Sequence, residues 1–266
     1  MTGDRLARLE AYYDAVPRAD AEVVDAPGFT IFAGPPDGPR YARPRLGRAA
    51  VTLGDVEEAV ARQRSLGLDP GFEWVAEATP GLDDLVRQVG LAIDHCPLLV
   101  LDGPPLGAAA SARLLDRDEL GDYSLARAAV GVAFTAGGLA TGREGIEARD
   151  AAATSVGPTR QSAFASGRFR MAAAYDPGGA PGPVGGGGHT PVGETSEITG
   201  VGVLPAYRHR GLAGALTYVL AQDALERGVT TVFCSAQNAE VARIYTRVGF
   251  RRVGTACIAE ARAGGG

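Results

Sequence analysis

The sequence predicts an α/β chain in which a phosphate-binding turn joins a strand to a helix. Two observations carry that expectation. The first is residues 195–228, which open with a β-branched, glycine-rich strand over Glu197–Val203 and stop it at Pro205. A basic glycine loop follows, Arg208-His209-Arg210-Gly211-Leu212-Ala213-Gly214, and then Leu212, Leu216, Val219 and Leu220 recur at helical spacing up to Gly228. The second is what comes next: a further strand over Thr230–Ser235, and Asn238 opening another helical pattern that runs towards Gly249.

In chain order, Leu6–Tyr13 is the first expected helix, and Phe29-Thr30-Ile31-Phe32 is a short strand closed by Gly34-Pro35-Pro36. Gly54–Leu66 is a helix with Asp55 near its start. Phe72–Ala76, around the sole tryptophan Trp74, and Gly81–Val89 are read as helical, and Cys96–Leu101 as a buried strand. The run from Asp102 to Gly107 and the alanines after it form a linker. The chain therefore divides into a smaller α/β domain, 1–109, and a second domain, 110–266. Ser111–Leu115 is the second domain's first strand, Asp118–Thr135 and Arg143–Ser155 are helices, and Arg168–Tyr175 is the next strand. The glycine- and proline-rich stretch Asp176–Pro191 reads as a flexible hairpin connection. Gly185–Gly188 has a second reading, a strand where another backbone approaches closely. Phe250–Glu260 is the last strand. Nothing in 1–109 carries a phosphate loop or a catalytic set; it is either a degenerate repeat of the second half or a wall of a substrate cleft.

A helix that starts directly after a strand points its unpaired N–H groups, and the positive end of its dipole, at the turn between them. The phosphate ligand narrows by exclusion. A Walker A loop needs a lysine, and the chain has none. A dinucleotide fingerprint needs G-x-G-x-x-G between strand and helix, whereas Gly200-Val201-Gly202 lies inside the strand. What remains is R-x-x-G-x-A, carried by Arg208, Gly211 and Ala213.

With Val203-Leu204-Pro205 before it, that loop resembles the pyrophosphate loop of the GNAT superfamily of acetyl-CoA-dependent N-acyltransferases. The second signature of that family is matched by Asn238, Ala242, Tyr245 and Val248-Gly249-Phe250. The resemblance implies a GNAT acyltransferase fold with a central mixed, mostly antiparallel sheet, plus the extra N-terminal domain. It implies acetyl-CoA as cosubstrate and transfer to a primary amine by direct attack in a ternary complex. Val201, Gly202 and Val203 would pair with the pantetheine arm as an added strand. The Val203 N–H would stabilise the oxyanion. Residues His209, Arg210, Gly211, Leu212, Ala213 and Gly214, flanked by Arg208, would hold the pyrophosphate, and Asn238 would reach the pantetheine or the acceptor. Tyr245 would act as general acid to the thiolate, its phenol being protonated at neutral pH. Glu197 would be the general base, because strand alternation puts it on the same face as Val203, six positions on. The helix pair 118–155 would line the acceptor side. The alternative is a non-catalytic acetyl-CoA-binding sensor or structural partner.

A net charge of −5 over 266 residues argues against a nucleic-acid binder. The hydrophobic fraction of 45 % and charged fraction of 21 % are those of a globular chain, with no run long enough to span a membrane. The N-terminal stretch lacks the apolar segment of a signal peptide. Three cysteines without a C-x-x-C pair point to a reducing, cytoplasmic setting. Three histidines far apart offer no zinc spacing, so no metal is expected. The expected partner is a small-molecule or peptide amine; a homodimer stays open.

Overall fold

The computed structural model describes residues 2–48, 50–153 and 157–261. The chain forms two compact units, Met1–Leu98 with Val253–Gly266, and Leu99–Arg252. The first has α1 (Thr2–Ala15), β1 (Glu22–Ala26), β2 (Phe29–Ala33), β3 (Arg40–Pro44), α2 (Leu53–Ser65), β4 (Gly71–Val75), α3 (Leu82–Gln88) and β5 (Ala92–Leu101). Next come β6 (Ala112–Leu114), α4 (Leu120–Thr135), α5 (Ile146–Ala152), α6 (Pro158–Ser166), β7 (Arg170–Tyr175) and β8 (Pro183–Val192). The chain then runs through β9 (Thr195–Val203), α7 (Leu212–Glu226), β10 (Thr231–Ser235), α8 (Ala239–Arg247) and β11 (Phe250–Glu260). No described helix is long and apolar enough to cross a membrane.

In the first unit β1, β2 and β3 form an antiparallel meander, and β3 meets β4 in parallel at Ala42 and Phe72. The chain's last strand returns here: β11 pairs antiparallel with β4, from Ala256 opposite Val75 to Glu260 opposite Gly71. The compact unit thus ends at Leu98 and takes back Val253 onward, where the sequence suggested a single cut at 109. The residues expected to be helical over Phe72–Ala76 are β4. Phe72 and Trp74 are buried with Phe29, Ile31 and Cys257, and the return of β11 supplies the ladder that a five-residue window cannot show. The sequence reading also passed over β1 and β3. In β3 a buried arginine breaks the apolar pattern: Arg43 pairs with Glu10 at 3.1 Å and Glu73 at 3.4 Å, its guanidinium 4.3 Å from the Tyr13 ring centroid.

The second unit has strand order β10-β9-β8-β7-β6, antiparallel except for the parallel β9–β10 pair. The glycine run at 185–188 is strand, its close-approach reading. A Cβ on Gly186 would stand 2.7 Å from Met171 Cε, one on Gly185 2.8 Å from the Gly202 carbonyl oxygen, and one on Gly188 would run into Phe169. Small residues let α4 lie down on this face: Gly186 and Gly202 point at Ala126 and Ala133. The helix expected over Arg143–Ser155 is α5, shorter at both ends; Ser155 itself lies outside the described residues. The sequence reading had no counterpart of α6.

The opposite face is held to α7 by a buried polar network. His189 Nδ1 lies 2.8 Å from Ser196 Oγ, and its Nε2 lies 2.8 Å from Asp223 Oδ2. Arg227 and Arg170 donate to the same carboxylate at 2.8 and 3.3 Å. Burial pushes the Asp223 carboxyl up, but the hydrogen bonds from His189, Arg227 and Arg170 outweigh it and hold the group well below the usual carboxylate range. A depressed folded-state pKa contributes stability above about pH 4, where the unfolded carboxyl is ionised, and that contribution is lost as pH falls. Asp223→Asn is expected to lower unfolding stability by about 3 kcal/mol at pH 7 in urea denaturation. The gap from the parent protein should narrow as pH falls below about 4, where the unfolded chain's carboxyl takes up a proton while the folded one stays ionised.

Candidate active site

Strands β9 and β10 pair only from Thr195–Ile198 against Thr231–Cys234. β9 continues to Val203, whereas β10 stops at Ser235, and beyond Ile198 the two are no longer in register. On the β8 side, Gly188 faces Thr199 and Gly186 faces Gly202, so β9 carries one extra residue. The extra residue sits at Gly200, whose φ of +62° is the left-handed value that suits glycine. Past this bulge, Leu204 N–H donates to Val184 at 2.9 Å, and Gly185 faces Val203. Val203 therefore occupies the non-bonded position of the antiparallel ladder, and its N–H and C=O point away from β8 into the opening.

The bulge also corrects an expectation. Ser196 meets His189 on the α7 side, and Gly202 meets Ala133 on the α4 side. Glu197 is thus on the α4 face while Val203 is on the α7 face: one added residue inverts the alternation that would have aligned them.

The opening is a cleft of ≈ 330 Å³ within the second unit, lined by Gly200–Val203, the turn after β9, the first turn of α7, Ser235, Gln237 and Tyr245, with Phe134 and Leu139 from α4 and the loop after it. In the turn, His209 and Gly211 both have positive φ, +62° and +79°. Left-handed residues in a tight turn bring successive N–H groups together into an anion-receptive concavity. Gly211 is the N-cap of α7 and offers no side-chain acceptor. The N–H groups of Leu212, Ala213 and Gly214 therefore have no acceptor within the helix and stand at its positive end.

The two arginines do different work from that expected of flanking cations. Arg208 gives its guanidinium to four carbonyl oxygens, those of Ala133 (2.8 Å), Gly137 (3.0 Å), Ala140 (2.8 Å) and Val203 (3.3 Å). It ties the turn to the end of α4 and shapes the cleft wall. Arg210 donates to Asp176 at 2.8 Å and covers the Tyr207 ring, with 5.0 Å to its centroid.

Tyr245 is 5 % exposed and lines the cleft, its ring edge-on to Phe250. Burial, with Cys234 and Glu197 close enough to add to it, pushes the phenol far above its usual value. Asn238 is exposed and caps α8, its Oδ1 accepting from Glu240 and Val241 N–H at 3.0 Å each. Its amide nitrogen is left for a ligand, but the cleft wall itself passes through Ser235 and Gln237. Gln237, Leu139 and Phe134 carry no motif and were legible only as neighbours of Asn238 and as an apolar helix end.

The first unit repeats the order of three antiparallel strands, helix, parallel strand, helix and strand. Seven residues lie between Pro44 and Thr52, as between Val203 and Gly211. Yet α2 is closed where α7 is open: Thr52 Oγ1 accepts from Asp55 N–H, and Asp55 accepts from Thr52 N–H at 2.8 Å. The Asp55 carboxylate stands where an anionic ligand would, with Arg48 at 3.1 Å. Elsewhere in this unit Asp83, His95 and Cys257 bring three donor atoms within 4.8 Å of one another. Arg87 lies 3.4 Å from the same Asp83 oxygen, and burial with nearby Asp83 and Glu77 pushes the Cys257 thiol up to about 12.

Residues 148–250 match the family model described as the acetyltransferase (GNAT) family, so the second unit carries a GNAT acetyltransferase domain. No curated protein matches the chain. Among solved structures, a GCN5-related N-acetyltransferase from Kribbella flavida is 22 % identical with a TM-score of 0.69, over 97 % of this chain and 96 % of that one. A GCN5-related N-acetyltransferase-like protein from Streptococcus suis is 12 % identical with a TM-score of 0.54, over 98 % and 99 %. A tandem GNAT protein from the clavulanic acid biosynthesis pathway is 16 % identical with a TM-score of 0.51, over 88 % and 78 %. These likenesses establish the GNAT fold.

Arg208→Met removes four hydrogen bonds at once. It is expected to lower unfolding stability by about 2 kcal/mol, from roughly 0.5 kcal/mol or more for each bond. Arg210→Met removes one exposed ion pair and should change it by less than about 0.5 kcal/mol. Urea midpoints of the two variants, measured side by side, check the contrast.

Proposed function

We propose that the second unit transfers an acetyl group from acetyl-CoA to a primary amine, by direct attack in a ternary complex. The observation that carries this reading is the gap between β9 and β10, bounded by free β9 backbone on one side, the open end of α7 at its mouth, and the Tyr245 phenol within. The pyrophosphate takes the N–H groups of residues 209–214. The pantetheine arm adds as a strand beside Val201, Gly202 and Val203, and the Asn238 amide nitrogen serves the same arm or the acceptor.

The amine nitrogen attacks the thioester carbonyl carbon, forming the C–N bond while the Val203 N–H donates a hydrogen bond to the carbonyl oxygen that gains charge. The C–S bond then breaks. The ammonium proton passes to Glu197, directly or through water, and the thiolate takes the Tyr245 proton, giving an amide and free coenzyme A. Glu197 acts from the α4 face, so its path to the amine runs round the bulge rather than along the strand face. Burial keeps the Tyr245 phenol protonated across the neutral range, so the proton is in place when the thiolate forms, while making it a weaker acid than the free group. We assign the chemistry to the second unit alone, because the Thr52–Asp55 cap closes the equivalent end of α2.

Calorimetry with acetyl-CoA is expected to give saturable binding, and the absence of any heat would overturn the reading. Tyr245→Phe should lower kcat by roughly 10- to 1,000-fold, the size of a general-acid effect, with acetyl-CoA affinity retained. In the parent protein, kcat should show no fall attributable to tyrosine ionisation up to about pH 10, since the buried phenol titrates above the free value. Glu197→Gln should displace the alkaline-rising limb of the pH–rate profile; an unmoved limb assigns the base elsewhere. Coenzyme binding without acetylation of any amine in a broad panel would instead make the protein a binding module.

A further inference from the structure

We propose that the amine acceptor also bears a carboxylate, and that Arg127 of α4 grips that group. The proposal rests on the acetyltransferase reading above. Arg127 is half-buried, and among the described residues no carboxylate or carbonyl oxygen takes its guanidinium. The acids nearest to it in sequence are occupied. Glu119 holds Arg113 at 2.7 Å, and Asp122 accepts from Tyr175 at 2.6 Å. The charge that does act on Arg127 is the like charge of Arg160, which adds to burial in lowering its pKa, against a smaller opposing effect of Tyr123. A half-buried guanidinium without an acceptor costs stability, and an arrangement of that kind persists where a ligand anion completes it.

Its position joins this cation to the cleft. Arg127, Gly131 and Phe134 fall at i, i+4 and i+7, on one stripe of α4. Phe134 lines the cleft, and seven residues of helix span about 10 Å. Between them Gly131 leaves the stripe open, with no atom within 4 Å of where a Cβ would be. The neighbouring stripe, Val130 and Ala133, packs on Gly202, so the helix is fixed relative to the strand edge that the coenzyme would occupy. Tyr123 stacks on Phe164 at 4.3 Å and meets Phe169 edge-on, which holds α6 against α4. A guanidinium presents paired donors that match a carboxylate.

The test compares ω-amino acids of three to six carbons with their own carboxamides as acceptors, and includes simple alkylamines. The parent protein should favour a carboxylate over its amide by about 10-fold or more in kcat/KM, as sites built around a polar group reject analogues that lack it. Arg127→Gln should abolish that preference, Arg127→Lys should restore part of it, and acetyl-CoA affinity should stay unchanged in both. Thermal unfolding of Arg127→Gln should be equal to or above that of the parent, since a half-buried charge without an acceptor has been removed; a merely structural arginine would lower it. Glutarate should raise the parent's melting temperature at constant ionic strength and leave that of Arg127→Gln unmoved. Equal use of acids and amides, a preference that survives Arg127→Gln, or acetylation of alkylamines alone overturns the proposal while the acetyltransferase reading stands. Failure to bind acetyl-CoA removes both.

Discussion

The rest of the second unit depends on one residue too many in β9. A strand hydrogen-bonded on both edges has no backbone to offer a ligand. The bulge at Gly200 bends β9 away from β10 after only four paired residues, while pairing with β8 resumes on the other side, shifted by one residue. The free edge that results is not a frayed end. Val203 is flanked by a β8 hydrogen bond at Leu204 and by the Arg208 guanidinium on its own carbonyl. A polar backbone edge can stay open in the folded protein because its geometry is set from the sides that are not open.

The glycines of β8 serve the same end from one strand further in. The sheet must let α4 come close, because the carbonyls that end α4 and its following loop are what Arg208 holds. A Cβ at Gly186 or Gly202 would lift the helix off the sheet by colliding with Met171, Ala126 or Ala133. Helix height, turn position and cleft width are therefore one variable. On the far face, the Asp223 network fixes α7 to β8 and β9, so the open helix end is anchored well away from its mouth.

Much of this was legible in the sequence where chemistry is local. The turn from Pro205 to Gly214, the capping asparagine and Tyr245 are set by neighbours within a few positions, and the structure brings the turn and Tyr245 to one cleft. What was not legible depends on partners far along the chain. Arg208 reads as a phosphate ligand until the end of α4 is placed against it. Glu197 and Val203 share a face by counting, and only the β8 register reveals the bulge that separates them. β4 reads as helix because its ladder partner lies more than 180 residues away, and β3 is hidden by an arginine whose charge is balanced by Glu10 and Glu73. Glycine-rich β8 reads first as a flexible hairpin connection and only second as a strand, because a strand's need for small residues comes from what packs on it.

The two units show how little separates an anion site from a closed helix end. Both present a helix eight residues after a strand, and both helices carry the same dipole. At α2 the chain supplies its own anion: Asp55 takes the N-cap N–H and Thr52 returns the bond, so the positive end is neutralised from within. At α7 a glycine N-cap withholds any side chain, and the left-handed residues at 209 and 211 turn the N–H groups outward. An internal carboxylate needs no translational entropy to reach its place, so it excludes an external phosphate of comparable charge without any steric block. The absence of a cap at Gly211 is then what distinguishes the two ends. It leaves α7 less stable at its first turn, by roughly the few tenths of a kcal/mol that separate a glycine N-cap from a side-chain cap, and that deficit is what a bound anion would offset.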